Sequence, residues 1–214
     1  MPLREALVFF GCLAAAVILH EISHGVVALW FGDDTAKRAG RLTLNPLPHI
    51  DPFGTILLPA MGALTGLPII GFAKPVPVNP AQLRNPRRDL LFVSLAGPTT
   101  NFLLMAGAAL ATRSLLRGTF VGSGIGSEGP ALLVQVLFAF AVVNLFLGLF
   151  NLLPIPPLDG SALLERVLPR RWLPSWYRFR PYGFLILLLL VISTNVVTRI
   201  VSPFFDALRD FVLS

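Results

Sequence analysis

The amino-acid sequence predicts an all-α polytopic membrane protein, a bundle of about four to six transmembrane helices with short extended or re-entrant segments. Of its 214 residues, 55% are hydrophobic and only 13% are charged, and the mean hydropathy is +0.76. Soluble domains carry about 25% charged residues, so this composition is typical of a membrane protein. The length suits one compact bundle and leaves no space for a second soluble domain.

Four apolar segments are each long enough to span a bilayer, which takes about 20 residues. They cover about residues 5–31, 90–112, 131–153 and 182–201. The first follows Arg4 as in a signal peptide, but it has no clear small-residue cleavage site, so we expect a retained helix. A further apolar segment at 52–73 contains Pro59, Pro68 and several glycines. These interruptions predict either a broken span or a re-entrant segment.

Shorter elements are expected between and after these spans. Residues 158–168 are too few to cross the membrane and predict a brief amphipathic helix, and residues 203–213 predict an interfacial amphipathic helix. The polar stretches 33–51 and 73–89 contain the alternating sequences RLTL and KPVPV. Alternation together with helix-breaking prolines predicts short extended segments there.

The positions of the basic residues predict the topology and the location of the protein. If 52–73 is re-entrant, the loops 33–51, 73–89 and 166–181 share one side and hold three, four and five of the 17 Lys and Arg residues. The positive-inside rule makes that side cytoplasmic and places the N-terminus outside. We therefore expect an integral protein of the cell membrane. The net charge of +6 reflects these loops, so we expect the lipid bilayer and no nucleic acid as a partner.

Three polar residues, His20, Glu21 and His24, interrupt the apolar run of residues 14–32. Each such side chain at mid-membrane depth costs about 2.5–3.5 kcal/mol to insert, so the group needs a compensating role. On a helix, the two histidines lie on one face and can bind one zinc ion, while Glu21 reaches the metal-bound water as a general base. The alternative is a pair of core histidines that hydrogen-bond between helices, which leaves Glu21 buried without a partner.

A catalytic zinc site normally has three protein ligands and a water molecule, so a third ligand must come from elsewhere. His49 is one candidate, in a loop expected at the interface. Asp159 is the better candidate, because the prolines of FNLLPIPPLDGS (150–161) break the helix near membrane depth, and unwound backbone is tolerated there where it lines a polar cavity. Asp159 could instead cap the following helix. Cys12 is the only cysteine, so there is no cysteine-based metal site.

The motifs together resemble the site-2 protease family of intramembrane zinc metalloproteases. The matching sequences are H-E-x-x-H in the first apolar helix, LAGPTTN (95–101) and NLLPIPPLDG (151–160). AGRLTLNPLPHIDPFGT and GFAKPVPVNP are similar to the compact bacterial and archaeal branch, and the resemblance covers about residues 14–166. The family often has Asp-Gly-Gly where this chain has Asp159-Gly160-Ser161. Many members also carry a PDZ domain or a CBS pair, and we expect neither here.

The resemblance implies one zinc ion per chain, with His20, His24 and Asp159 as ligands and Glu21 as the catalytic base. Asn151 and Asn101 match the asparagines of two family motifs. The oxyanion of the reaction needs hydrogen-bond donors, so Asn151, Asn144 and Asn101 are candidates to contact substrate. For Asn144, a hydrogen bond between helices is an equally supported alternative.

We therefore expect a single integral-membrane metalloprotease domain over residues 1–214. Its expected activity is hydrolysis of peptide bonds in or near the transmembrane segments of single-pass membrane proteins, with the active site towards the cytoplasm. The sequence AKPVPVN (73–79) is a candidate edge for pairing with an unwound substrate strand. The alternatives are a divalent-metal transporter, since polar groups within spans also mark ion pathways, and a catalytically silent protein that binds membrane segments.

Overall fold

The computed structural model describes residues 2–65, 71–118, 128–193 and 195–214, and within these ranges it contains no β-strand. The helices are α1 (Leu3–Trp30), α2 (Thr35–Arg38), α3 (Leu58–Thr65), α4 (Pro86–Leu116), α5 (Glu128–Asn151), α6 (Gly160–Val167), α7 (Leu173–Phe179), α8 (Gly183–Ser193) and α9 (Val196–Leu213). The prediction of an all-α polytopic membrane protein is confirmed. The brief helix expected at 158–168 is α6.

Four helical stretches of the described residues are long and apolar enough to cross a membrane. They are Leu3–Trp30, Pro86–Leu116, Ala131–Asn151 and Arg170–Ile192. The first three agree with the predicted spans, but the fourth does not. The predicted span 182–201 is divided between two helices, because α8 ends at Ser193 and α9 begins at Val196. The sequence at this break includes Ser193 and Asn195, residue types that compete with helical hydrogen bonding.

Helices α1, α4 and α5 pack against one another and form the centre of the bundle. Small residues are frequent where they meet. One buried cluster consists of Cys12, Ala16 and Val143, and a second consists of Ala108, Ala109, Ala141, Leu145, Leu208 and Val212. Small side chains let helix backbones approach closely, which favours association within a membrane.

Helix α9 contains the tail that was expected to lie at the membrane interface. The amphipathic helix is present, but it starts earlier, at Val196. Its Leu208 and Val212 are buried in the cluster shared with α4 and α5, and the Arg113 guanidinium of α4 donates to the carbonyl of Phe211, 2.6 Å away. The apolar side of this helix therefore packs against two spanning helices, which the sequence pattern did not predict.

The two ends of the interrupted segment 52–73 meet. It begins with a π-helical turn, Pro52–Leu57, and continues as α3; the predicted interruption at Pro68 lies outside the described residues. The Phe72 N–H donates to the Gly54 carbonyl over 3.1 Å, and the Thr55 hydroxyl donates to the Phe72 carbonyl over 3.0 Å. A segment whose ends are hydrogen-bonded returns to the side from which it started, so the geometry favours the re-entrant interpretation.

Residues 71–79 follow this return without regular secondary structure, and residues 42–44 of the RLTL sequence form bends. The extended segments predicted for both stretches therefore do not form strands within the described residues. The loop 71–79 is nevertheless important for the site, because it crosses α1 beside Glu21.

Candidate metal centre

Helix α1 places His20 and His24 one turn apart, and the turn after α5 brings Asp159 to them. The two Nε2 atoms are 3.0 Å apart. Asp159 Oδ2 lies 3.1 Å from Nε2 of His20 and 3.4 Å from Nε2 of His24. Among the described residues, these three form a group able to hold a metal ion, whereas the His49 ring contacts the Thr43 carbonyl instead. The geometry thus favours Asp159 over His49 as a third ligand.

Hydrogen bonds determine which nitrogen of each imidazole carries its hydrogen. The Nδ1 atom of His24 lies 2.6 Å from the Val93 carbonyl, which can only accept, so this nitrogen donates. The Nδ1 atom of His20 lies 2.6 Å from Oδ1 of Asn101, whose Nδ2 in turn donates to Asn144. With both hydrogens on Nδ1, each Nε2 directs a lone pair towards Asp159.

Three electron-pair donors thus meet with no hydrogen between them. Asp159 Oδ2 is buried and has no hydrogen-bond partner, which costs free energy unless a cation sits among these atoms. In a tetrahedral zinc site with ligand bonds near 2.0–2.2 Å, neighbouring ligand atoms are about 3.3 Å apart. The observed separations of 3.0 to 3.4 Å match that spacing. The ligand types and their positions therefore fit zinc.

Asp159 reaches the histidines because the chain turns sharply after α5. A Cβ atom at Gly160 would lie 2.2 Å from the Leu152 carbonyl oxygen, so the close return needs glycine at this position. Asp159 directly precedes α6, but its side chain makes no capping hydrogen bond to that helix. In this structure, therefore, the Asp159 side chain does not cap α6.

Because Gly97 has no side chain, helix α4 can pass close to the two imidazole rings of the candidate metal centre. A Cβ atom here would lie 2.5 Å from Nε2 of His20 and 2.5 Å from Nε2 of His24, which is closer than atoms can approach. Gly97 belongs to the LAGPTTN motif, but no role was predicted for this glycine from the sequence. The motif itself was the available signal, because a glycine within a spanning helix often marks a close approach.

The three candidate asparagines have different surroundings. Asn101 and Asn144 are fully buried, and Asn144 Nδ2 also donates to the Phe140 carbonyl over 2.8 Å. These two amides connect His20 to α5, so the geometry favours the interhelical hydrogen bond for Asn144. Asn151 donates to the Leu147 carbonyl one turn back in its own helix, 3.0 Å away, and is only partly buried.

Glu21 lies next to the histidines and is only partly buried. Its Oε2 accepts a hydrogen bond from the Val76 N–H over 2.8 Å. This contact with the KPVPV sequence was not predicted from the sequence pattern. The carboxylate therefore has a backbone partner from the loop 71–79 at one of its two oxygens.

Comparison with known proteins identifies the family. A family model described as Peptidase family M50 matches residues 8–193, which is most of the chain. The chain belongs to the M50, or site-2 protease, family. It is accordingly a zinc metalloprotease, and the family assignment agrees with a metal centre formed by His20, His24 and Asp159.

Several curated relatives of this M50 peptidase have names that describe zinc metalloproteases. One from Bacillus subtilis, "Putative zinc metalloprotease YwhC", is 38% identical over 94% of this chain and 87% of its own length. Rip2 of Mycobacterium tuberculosis is 36% identical over 77% of this chain and 60% of its own length. MJ0392 of Methanocaldococcus jannaschii is 27% identical over 92% of this chain and 47% of its own length. No solved structure matches this chain.

Proposed function

We propose that this M50 peptidase is an intramembrane endopeptidase that hydrolyses peptide bonds in or near the transmembrane segments of single-pass membrane proteins. The observation that carries the proposal is the depth of the candidate metal centre. His24 is six residues before the end of α1 at Trp30, about 9 Å along the helix axis. The centre is therefore enclosed by spanning helices, where a substrate must itself lie within the membrane.

In this proposal, His20, His24 and Asp159 hold the zinc ion. When bound, zinc lowers the pKa of a coordinated water molecule and polarises a peptide carbonyl. Glu21 accepts the proton from the attacking water and transfers it to the amine that leaves. Asn101 and Val93 accept the Nδ1 hydrogens of the two imidazoles, which leaves each Nε2 available to bind the metal. This division of roles requires Glu21 to remain outside the ligand set.

We also propose that, of the three candidate asparagines, Asn151 is the best placed to bind the oxyanion. It ends α5 and is partly exposed, whereas Asn101 and Asn144 are fully buried and hydrogen-bonded to each other. A donor that stabilises the oxyanion must reach substrate. For Asn101 and Asn144 the surroundings support a different role, which is to hold the His20 ring in position.

We propose further that the active site faces the cytoplasm and that residues 1–214 act as one domain in the cell membrane. Two observations support this arrangement. The hydrogen bond between Phe72 and Gly54 favours a re-entrant 52–73. That path leaves 33–51, 73–89 and 166–181, with most of the basic residues, on one side.

The proposed activity is tested by reconstituting the purified protein in liposomes with candidate single-pass membrane proteins. Glu21→Gln should retain zinc and lose cleavage by several orders of magnitude, because the amide keeps the shape but cannot accept a proton. His20→Ala serves as the comparison, since it should lose both zinc and cleavage.

The same liposomes distinguish the alternatives. Zinc flux into vesicles without any cleavage would support a transporter. Cleavage that persists in Glu21→Gln would contradict the assigned base. If the wild type binds zinc but neither cleaves nor transports, a silent binder of membrane segments is the better explanation.

A further inference from the structure

The loop that crosses Glu21 is held at both ends by hydrogen bonds to the neighbouring loops. We call residues Lys74–Asn79 the strap. At its start, the Lys74 N–H donates to the His49 carbonyl over 2.9 Å, and the Arg41 guanidinium donates to the Lys74 carbonyl. At its end, the Asn79 N–H donates to Asp33 Oδ2 over 2.6 Å. The strap is therefore fixed on either side of the point where it passes Glu21.

The anchor at Asp33 is a fully buried carboxylate immediately after α1. Its Oδ1 also accepts from the backbone N–H and the hydroxyl of Thr35. Burial alone would raise the pKa of Asp33, but the hydrogen bonds from Thr35 and Asn79 outweigh it and hold the pKa below its ordinary value. The anchor consequently stays charged at neutral pH.

Between the anchors, the strap offers a single hydrogen-bond donor at Glu21. Pro75 and Pro77 have no N–H, so Val76 supplies the only backbone donor in the sequence Pro-Val-Pro. That N–H lies 2.8 Å from Glu21 Oε2. Proline on each side also fixes two φ angles, which limits the ways in which Val76 can turn away.

The side chain of Val76 is held as firmly as its backbone. It is only 8% exposed and lies over Gly25, one turn beyond Glu21 on α1. A Cβ atom at Gly25 would lie 3.0 Å from Val76 Cγ1 and 2.5 Å from Leu42 Cδ2. The absence of a side chain at Gly25 therefore creates the space that lets the strap lie against α1.

We propose that Val76 is a positioning residue for the reaction, whose N–H holds one carboxylate oxygen of Glu21 so that the other faces the attacking water. This inference rests on the proposed role of Glu21 as the base. A glutamate side chain has three rotatable bonds, and a neutral donor restricts them without competing for the proton. A base misplaced by about 1 Å can lose about a hundredfold in rate.

The kinetic test compares two proline substitutions in the strap. Val76→Pro removes the donor to Glu21, whereas Val78→Pro adds the same ring two residues away and leaves that donor intact. With a single-pass substrate cleaved by the wild type, Val76→Pro should lower kcat by about tenfold to a hundredfold. KM and zinc content should stay near the wild-type values. Val78→Pro should keep most of its kcat.

Two results would overturn the inference. One is an equal loss of kcat in both proline variants. The other is a rise in KM with kcat unchanged, which would mean that the strap binds substrate. If Val76→Pro fails to fold, replacing the Val76 amide by an ester removes the N–H alone, and the same loss of kcat is expected.

A second measurement needs no cleavage at all. In amide hydrogen exchange resolved to single residues, Val76 should be protected in the wild type and in Glu21→Gln, whose side-chain oxygen still accepts. Protection should fall at least about tenfold in Glu21→Ala, in line with loss of a hydrogen bond to a charged group. Unchanged protection would refute the contact. Because exchange is independent of turnover, it separates failure of this inference from failure of the proposed function.

Discussion

The two histidines of α1 can both direct Nε2 to one point because each Nδ1 hydrogen is bound elsewhere. Val93 and Asn101 accept these hydrogens over 2.6 Å in each case. Such partners orient metal ligands and raise their basicity. At the scale of single residues, the candidate centre thus includes groups that would not touch the metal, as well as the three candidate ligands.

Asp159 provides the clearest test of the ligand set. Asp159→Asn should weaken zinc binding and remove most activity, because a neutral amide is a poor zinc ligand. If the residue served only as a helix cap, asparagine would replace aspartate without loss. Zinc content by elemental analysis and cleavage of a model substrate check this. A variant with wild-type zinc and activity would exclude Asp159 as a ligand.

Substitution of Gly97 should reduce zinc content as strongly as substitution of a ligand, although Gly97 carries no ligand atom. In Gly97→Ala the new methyl group would lie 2.5 Å from both Nε2 atoms, so we expect zinc content to fall sharply. Gly107→Ala on the same helix is the matched control, since nothing lies within 4 Å of its Cβ position. Equal zinc content in the two variants would contradict the proposed crowding.

At the scale of helices, Asn101 and Asn144 connect the metal centre to α5. The path runs from the His20 ring through Asn101 to Asn144 and ends at the Phe140 carbonyl, with the last two hydrogen bonds both 2.8 Å long. Fully buried polar groups are tolerated only when they are hydrogen-bonded. The three central helices are therefore joined by polar contacts at the level of the candidate metal centre, in addition to their small-residue packing.

Asn144→Ala should lower zinc affinity by about tenfold to a hundredfold, the usual effect of losing an outer partner of a metal-bound histidine. Competition with a chelator measures the affinity. Thr112→Ala is the control, since Thr112 is also fully buried but its hydroxyl donates to the Ala108 carbonyl within its own helix. A similar loss in both variants would point to general destabilisation instead of a role in holding His20.

At the scale of the whole molecule, the path of 52–73 decides which loops share a side of the membrane. We expect single cysteines at Lys37, Arg84 and Arg170, all exposed, to react with an impermeant thiol reagent only from the cytoplasmic side. A cysteine at Arg117, at the opposite end of α4, should react only from outside. These variants need a Cys12→Ala background. Labelling of Lys37 and Arg84 from opposite sides would show that 52–73 crosses the membrane.

The fold was predictable where local patterns dominate. Three of the four spans followed from continuous hydrophobicity, which depends only on neighbouring residues. The fourth was predicted at 182–201, but that range is shared by α8, which ends at Ser193, and α9, which begins at Val196. Continuous hydrophobicity could not predict that α9 would pack against α4 and α5, because this depends on the shapes of distant helices.

The sequence by itself determined the histidine pair and its glutamate, because positions four apart on a helix share a face wherever that helix lies. Only the tertiary structure decided the rest of the centre. It brought Asp159, and not His49, to the two histidines, placed Gly97 against both rings, and set the Val76 N–H on Glu21 across 55 residues of chain. These contacts join segments far apart in sequence, and their geometry follows from helix packing and from a sharp turn that no local pattern encodes.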